Sequence, residues 1–232
     1  EIMVFNTNLS DTDIAKINYY LSKKWGLLRT MDSDDDGLED HAEIEFNCSP
    51  ILATSKPNGN LSASVHRRIN NGANDLDSIK NDLKLWLDGQ NIITRENNGL
   101  IHGSKISKWV DLSGNGNHAR QPTSNEQPQY LSDYQSIKFD GGNDALSIGT
   151  NLTSGTSYTV IIVEKRSISK NNNFFFGQLG QDSPNQNIHL GYRNDTEITL
   201  AHYNNDLNAT VRGASGIDLS IFRFKKNESP SH

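Results

Sequence analysis

Cysteine, basic charge and long apolar runs are all scarce in this chain of 232 residues. Cys48 is the only cysteine, so no disulfide can form within the chain. The 22 Lys and Arg are outnumbered by 28 Asp and Glu, and no basic stripe suited to nucleic acid is present. No apolar stretch approaches the roughly 20 residues of a membrane-spanning helix. These absences argue against nucleic-acid binding and against insertion into a membrane.

Common catalytic motifs are missing as well. The sequence contains no nucleophile elbow, zinc-binding motif or phosphate-binding loop. Glycoside hydrolases need two carboxylates across a cleft, and the acids on the predicted strands, Glu164 and Glu197, are isolated. Hydrophobic residues make up only 34% of the chain, which fits a thin β-rich domain better than the thick core of an α/β enzyme. We therefore expect a non-catalytic protein.

From residue 83 onward, short apolar runs are separated by turns rich in Asn and Gly. Alternation of side chains along the chain is clearest at 158–164 and 220–225. This pattern predicts a mostly β, antiparallel sandwich. The predicted strands are 83–88, 106–110, 136–140, 145–148, 157–165, 173–178, 188–193, 197–203, 208–212 and 219–225.

The N-terminal segment predicts one strand followed by a short helix. Ile2–Phe5 is an apolar run typical of a strand. Ser10 stands at a helix N-cap with Asp13 three residues later, and Gly26 is a typical C-terminal stop. A polar stretch reaching to about residue 80 predicts a linker, with a short helix around 61–69.

Acidic residues are concentrated in one place. Seven carboxylates fall within twelve residues, and the 21 acidic residues elsewhere nearly balance the 22 basic ones. The seven are Asp32, Asp34, Asp35, Asp36, Glu39, Asp40 and Glu43. The acidity is therefore local, and its natural partner is a cation.

The spacing of these acids is that of a twelve-residue calcium loop. Such a loop binds the ion from its first, third, fifth, seventh, ninth and twelfth positions. Glycine occupies the sixth position, here Gly37, where the chain turns sharply and a Cβ would obstruct. We predict a Ca²⁺ ligand set of Asp32, Asp34, Asp36, the Leu38 carbonyl, Asp40 (directly or through water) and Glu43. The alternative is a solvated acidic turn that binds no ion.

A paired EF-hand sensor is not expected, because there is no second loop and Gly26 separates the preceding helix from the acids. Residues 30–50 instead resemble a thrombospondin type 3 repeat, although Asp35 stands where that family often has glycine. This departure removes no ligand. The resemblance implies a calcium-binding spacer of an extracellular or cell-surface protein.

Three further segments carry a second resemblance. They are Leu83–Asp88, Ile106–Ala119 with its Ser-Gly-Asn-Gly-Asn run, and Ile137–Ile148 with Phe-Asp-Gly. In this order they resemble the laminin G-like, concanavalin A-like domains of bacterial secreted and surface proteins, over residues 83–225. The resemblance implies a jelly-roll sandwich and a role in carbohydrate binding or adhesion.

Together the resemblances imply a division of the chain. Residues 1–27 would close a preceding laminin G-like domain, 28–57 would be the calcium-loop segment, 58–82 a linker, and 83–232 a second laminin G-like domain cut short at its C-terminus. In the alternative, the chain is one circularly permuted domain whose N-terminal piece completes the C-terminal sheet.

Several polar and aromatic residues of the sandwich have two interpretations. One set could form a second calcium site or stabilise turns: Asp111, Asn115, Asn117, Asp140 and Asp144. Two tryptophans, Trp86 and Trp109, could fill the core or stack on a sugar. Three residues could line a sugar-binding face or simply lie within the sheet: Tyr192, His202 and Tyr203.

We expect a calcium-binding extracellular module whose lectin-like sandwich binds a polysaccharide or glycoconjugate, beside other domains of one surface protein. A structural spacer rigidified by calcium is the main alternative. Part of a polysaccharide-degrading hydrolase is a third, less favoured one.

Overall fold

The computed structural model describes residues 1–45, 48–54, 79–93, 97–153, 157–178, 187–202, 205–211 and 216–226. These residues are mostly β, and their strand pairings are all antiparallel. The predicted helix at 61–69, most of the predicted linker 58–82 and Tyr203 lie outside the described residues.

The chain divides into two compact units. The sandwich unit comprises Glu1–Thr7 and Leu83–His232, and the acidic unit comprises Asn8–Asp82. Within the described residues, the sandwich unit holds the strands and the acidic unit holds both α-helices.

The strands of the sandwich unit, in chain order, are β1 (Ile2–Phe5), β2 (Leu83–Leu87), β3 (Lys108–Trp109), β4 (Ala119–Arg120), β5 (Gln129–Leu131), β6 (Ser136–Lys138), β7 (Tyr158–Glu164), β8 (Asn173–Gly177), β9 (Ile188–Asn194), β10 (Glu197–His202), β11 (Asp206–Thr210) and β12 (Asp218–Phe224). They form two four-stranded sheets, in the orders β12–β7–β1–β2 and β11–β10–β9–β8. The short pairs β3–β4 and β5–β6 form two ribbons.

One apolar core lies between the two four-stranded sheets. Val160 of the first sheet and Leu190 of the second are both fully buried members of it. Phe222 of β12 and Phe175 of β8 meet across the core, with their ring centroids 5.8 Å apart. Because both sheets contribute side chains to one core, the arrangement is that of a β-sandwich.

Strand β7 is buried on both faces. Thr159 and Ile161 point away from the core residue Val160, yet both are at most 1% exposed. The strand also has hydrogen-bonded neighbours along both edges, β1 and β12. A strand in this position is buried on both faces. The alternation of side chains along its sequence therefore does not correspond to one buried face and one exposed face.

Strand β1 lies inside the first sheet rather than in a preceding domain. Met3 stands opposite Trp86 of β2 on one side and opposite Ile161 of β7 on the other. The predicted division keeps residues 1–27 together, whereas in the structure Glu1–Thr7 belongs to the sandwich unit and Asn8–Asp82 to the acidic unit. A four-residue apolar strand carries no local signal for its partners, which is why the sequence pattern cannot assign it.

Most other predicted strands are present within a few residues of their expected bounds. Segment 145–148 is an exception, since it contributes only the isolated bridge between Arg120 and Ser147. Strands β4 and β5 are not predicted, because two or three residues are too few to show a period of two.

Helix α1 of the acidic unit spans Asp11–Trp25 and follows its sequence signals at both ends. Ser10 Oγ accepts a hydrogen bond from the Asp13 amide at 3.2 Å and donates one to Asp13 Oδ2 at 2.6 Å. Gly26 closes the helix with a left-handed φ of 72°, and its amide bonds to the Ser22 carbonyl. A second helix, α2 (Asp40–Glu45), is too short for the sequence pattern to predict.

Candidate metal centre

The acidic loop, residues 32–39, lies between α1 and α2 and folds back over the side chain of Asp32. Asp32 Oδ1 accepts a hydrogen bond from the Asp36 amide at 3.2 Å, and Oδ2 accepts one from the Gly37 amide at 2.8 Å. Asp36 Oδ1 in turn accepts from the Leu38 amide at 3.0 Å. The carboxylates therefore organise their own turn through the backbone.

Two residues of the acidic loop adopt a left-handed backbone. Gly37 has a φ of 96° and Asp35 a φ of 59°. Nothing lies within 4 Å of a Cβ built on Gly37. Glycine is therefore favoured at this position by its backbone conformation and not by a lack of room for a side chain. This corrects the expectation that a Cβ would obstruct the turn. Aspartate tolerates the left-handed region better than most residues, which explains Asp35.

Three aspartates of the loop converge. One carboxylate oxygen from each of Asp32, Asp34 and Asp36 lies within 4.8 Å of the other two, and all three residues are half-buried. Among the described residues, no other group of three or more His, Cys, Asp or Glu side chains meets this criterion. We call these three residues the aspartate trio. They could hold a metal ion.

Glu43, at the twelfth position, is a buried carboxylate on α2. It is 0% exposed, and neither of its carboxylate oxygens has a hydrogen-bond partner. Burial, then the charges of Asp34, Asp36, Asp40 and Asp32, raises the pKa of Glu43 to about 8. A buried carboxylate without hydrogen bonds is costly, so this position demands either a proton or a cation.

The same local field acts on neighbouring groups. Burial raises the pKa of Asp34 to about 6, the charges of Asp36 and Asp32 add to this, and the amides of Leu52 and Asp36 oppose it. Burial and then the charges of Glu43 and Asp36 raise the pKa of Cys48. The negative charges around the acidic loop therefore also affect Cys48, a residue outside the loop.

The carboxylate of Asp40, the predicted ligand at the ninth position, accepts hydrogen bonds from two serines. Its Oδ1 accepts from the Ser33 amide at 2.8 Å, and its Oδ2 accepts from Ser22 Oγ at 2.6 Å and Ser33 Oγ at 2.8 Å. Asp40 is fully buried and is not part of the group that could hold a metal. It ties helix α1 to both the beginning of the acidic loop and the beginning of α2.

The remaining loop positions differ in exposure. Leu38 is half-buried, whereas Asp35 and Glu39, which the ligand pattern leaves out, are exposed. Sequence reasoning misses Ser22 and Ser33. Ser22 is 18 residues from Asp40 and gives no local signal, while Ser33, between two aspartates, could have been suspected as a hydroxyl donor.

Asp111, considered for a second calcium site, stabilises a turn. Its carboxylate accepts hydrogen bonds from the Trp86 amide at 2.9 Å and from the Asn117 amide at 2.9 Å. Ser113 Oγ adds a third at 2.8 Å. Asn115 and Asn117 use their side-chain amides to bond backbone carbonyls at 2.8 Å. These contacts fit the turn-forming interpretation.

Asp140 and Asp144 form a similar local turn. Asp144 Oδ2 accepts from the Asp140 amide at 2.9 Å, and Asp140 Oδ1 accepts from the Gly142 amide at 2.7 Å. Lys105 Nζ lies 3.8 Å from Asp144 Oδ1 and supplies a positive charge. The turn-forming interpretation fits this pair too.

The aromatic candidates lie mainly within the sandwich. Trp109 is 5% exposed and belongs to the core, whereas Trp86 is half-buried and donates its indole N–H to Glu1 Oε1 at 2.8 Å. Tyr192 is buried, and His202 Nε2 lies 2.7 Å from Tyr158 Oη.

Two carboxylates on neighbouring strands form a pair that the sequence does not reveal. Asp218 on β12 stands directly opposite Glu164 on β7. Glu197 is separate from them and accepts a hydrogen bond from Asn194 at 2.9 Å. The Glu164–Asp218 pair results from strand register, which the sequence pattern alone cannot supply.

Comparison of the chain with protein-family models, with curated proteins and with solved structures yields no match in any of the three. In the described residues, neither helix has the length and apolar character that crossing a membrane would require.

Proposed function

We propose that the acidic unit binds one Ca²⁺ through the aspartate trio, Glu43 and the Leu38 carbonyl. The observation that carries this proposal is Glu43 on α2, whose two buried oxygens have no hydrogen-bond partner although the aspartate trio lies on the adjacent acidic loop. A cation beside them would replace the missing hydrogen bonds and remove the mutual repulsion. Asp40 is removed from the predicted ligand set and becomes a positioning residue.

The donor chemistry favours calcium over other common metals. Every proposed ligand is a carboxylate or carbonyl oxygen, which suits hard cations. Calcium accepts six to eight oxygens in flexible geometry, whereas magnesium needs a smaller octahedron and retains several waters. Four carboxylates on one short segment therefore suit calcium better than magnesium.

The test is calorimetric titration of Ca²⁺ into the chelator-treated chain, with thermal unfolding followed in parallel. We expect saturable binding and a raised melting temperature, both lost in the Asp32→Ala/Asp34→Ala double variant. The matched control is Asp35→Asn, which removes an exposed charge of the same loop that is not among the proposed ligands. Binding that survives the double variant would identify the acids as a solvated turn.

The sandwich unit is proposed to be a concanavalin A-like, laminin G-like jelly roll that binds polysaccharide or glycoconjugate in an extracellular or cell-surface protein. Support comes from the two four-stranded antiparallel sheets around one core and from the order of the three sequence segments. Adhesion beside further domains of the same parent chain is the corresponding biological role.

Two other functions remain as alternatives. A calcium-rigidified spacer would bind metal but no glycan, so a glycan array separates it from a lectin. A hydrolase is favoured only by the Glu164–Asp218 pair, and release of reducing sugar from polysaccharide, lost on Glu164→Gln, would support it.

A further inference from the structure

The second sheet carries an exposed aromatic ring on the face opposite to the core. A bulge in β8 between Phe174 and Phe176 places Phe175 against Tyr192 and Phe222, with ring centroids 5.9 Å and 5.8 Å away. Phe174 stands opposite Gly191, outside the core, and is 37% exposed. The bulge thus turns one of three consecutive phenylalanines outward.

Gly191 allows strand β8 to lie close beside β9. A Cβ at Gly191 would lie 2.5 Å from the Asn173 carbonyl oxygen and 2.6 Å from the Phe174 Cα. Strand β8 therefore approaches β9 closely only because residue 191 has no side chain. Thr199, the residue of β10 opposite Gly191, is fully buried.

Polar groups surround the ring on the same face. His189 and Arg193 flank Gly191 at alternate positions of β9, so they share its face. His189 meets Phe174 edge-on at 4.8 Å between ring centroids, and the Arg193 guanidinium carbon lies 5.6 Å from the Phe174 centroid. Arg193 also forms an ion pair with Asp206 on β11 and contacts His189 Nε2 at 3.4 Å.

We infer that this face is a glycan-binding platform, formed by Phe174, His189, Arg193 and Asp206, for a neutral hexopyranose unit. The inference rests on the proposed carbohydrate-binding function and assigns it a location and a ligand class. The C–H face of a pyranose ring packs on the exposed Phe174 ring. Two adjacent hydroxyls are matched by the ion pair, because each can donate to the Asp206 carboxylate or accept from the Arg193 guanidinium.

The Arg193–Asp206 ion pair favours a neutral sugar over an anionic one. Arg193, which could bind a carboxylate or sulfate, already faces the Asp206 carboxylate. An anionic sugar would have to displace Asp206 and leave that carboxylate beside a like charge. A neutral sugar can use both partners of the pair without separating them.

The experiment uses the intact chain on an array of neutral, sialylated, uronate-containing and sulfated glycans, followed by calorimetry with the best-bound oligosaccharide. We expect signal on neutral hexopyranose glycans, with affinity reduced roughly tenfold or more by Phe174→Ala and by Arg193→Ala. Phe174→Trp, which enlarges the ring, should retain binding. The matched control is Tyr134→Ala, since Tyr134 is 67% exposed on the turn between β5 and β6.

Different outcomes would contradict the glycan-binding platform alone and the carbohydrate-binding function as a whole. Neutral-glycan binding that is equal in the wild type and in Phe174→Ala, with both melting at the same temperature, would overturn the platform and leave a lectin with another site. Preference for anionic glycans would also overturn it. No signal on the array from the folded wild type would overturn the platform and the carbohydrate function together, while the calcium titration would still judge the acidic unit separately.

Discussion

Tyr192 Oη donates a 2.6 Å hydrogen bond to Glu164 Oε1 and thereby joins β9 of the second sheet to β7 of the first. Arg166 lies over the Tyr192 ring, with its guanidinium carbon 3.8 Å from the centroid, and donates to the Asp195 carbonyl at 3.0 Å. Burial raises the pKa of Glu164, while the Tyr192 hydrogen bond lowers it. The carboxyl group remains between the sheets because Tyr192 replaces part of its lost hydration.

Replacing Tyr192 by phenylalanine should therefore destabilise the sandwich unit with little change in its packing. We expect a loss of about 1–3 kcal/mol in the free energy of unfolding, because Glu164 would keep its burial and lose its donor. Urea denaturation followed by tryptophan fluorescence measures the change. Tyr134→Phe, on an exposed ring, should alter stability little. Equal effects of the two variants would show that the inter-sheet bond contributes nothing.

Replacing Glu43 by glutamine should have opposite effects on the two states of the acidic unit. Without metal at neutral pH, the variant should melt at a higher temperature than the wild type, because Glu43 must take up a proton on folding whereas glutamine is already neutral. Its Ca²⁺ affinity should fall roughly tenfold or more, since one proposed ligand loses its charge. The pair of measurements is differential scanning calorimetry in chelator and calorimetric titration. If the calcium-free variant melts at a lower temperature than the calcium-free wild type, the interpretation of Glu43 as a destabilising buried carboxylate is wrong.

Ser22→Ala tests the positioning role of Asp40. The substitution removes the 2.6 Å hydrogen bond to Asp40 Oδ2 and leaves the two bonds from Ser33. We expect a loss of about 1.5–3 kcal/mol in stability, typical of a hydrogen bond to a charged group. Calcium affinity, measured by titration, should change far less than in Asp34→Ala. A loss of affinity as large as in Asp34→Ala would show that the Ser22–Asp40 hydrogen bond is required for ion binding itself and contradict a role confined to positioning and stability.

Acid should weaken the sandwich unit through His202. Burial lowers the pKa of His202 below its usual 6.5, the charge of His189 adds to this, and Asp206 opposes it. The unfolded chain therefore takes up a proton that the folded chain resists, so stability is lost as pH falls below 6.5 towards the lowered pKa.

The measurement is the urea midpoint between about pH 7.5 and pH 5.5 for the wild type and for His202→Gln. The variant should lose less stability over this range, because it has no proton to take up at residue 202. His102→Gln is the control, since its side chain is 52% exposed. Parallel pH curves for all three proteins would exclude His202 as a source of the acid sensitivity.

Signals carried within a few residues allow the sequence to predict part of this fold. Ser10, Asp13 and Gly26 define both ends of α1 because capping is a contact between near neighbours. The apolar runs at β7 and β12 identify strands for the same local reason. The place of β1 between β2 and β7 depends instead on pairing between distant segments, which no local pattern encodes.

The candidate metal centre also has some features that local spacing predicts and others that depend on contacts between distant residues. Spacing within the loop brings Asp32, Asp34 and Asp36 close together, because positions two apart in a tight turn point to a common centre. Asp40 cannot be interpreted from spacing, since its donor Ser22 lies on the preceding helix. The unpartnered burial of Glu43 likewise depends on how α2 packs, and becomes visible only in three dimensions.

The pairing of Phe5 with Leu83 has an architectural consequence. The two residues that lead into and out of Asn8–Asp82 are cross-strand neighbours, so the whole acidic unit occupies the position of a hairpin turn. Closing so long a span as unstructured coil would cost roughly 4 kcal/mol in chain entropy. A few turn-forming residues could bridge the same gap. The acidic unit is therefore an insertion by topology, and a shortened chain that joins β1 directly to β2 retains every strand of both sheets.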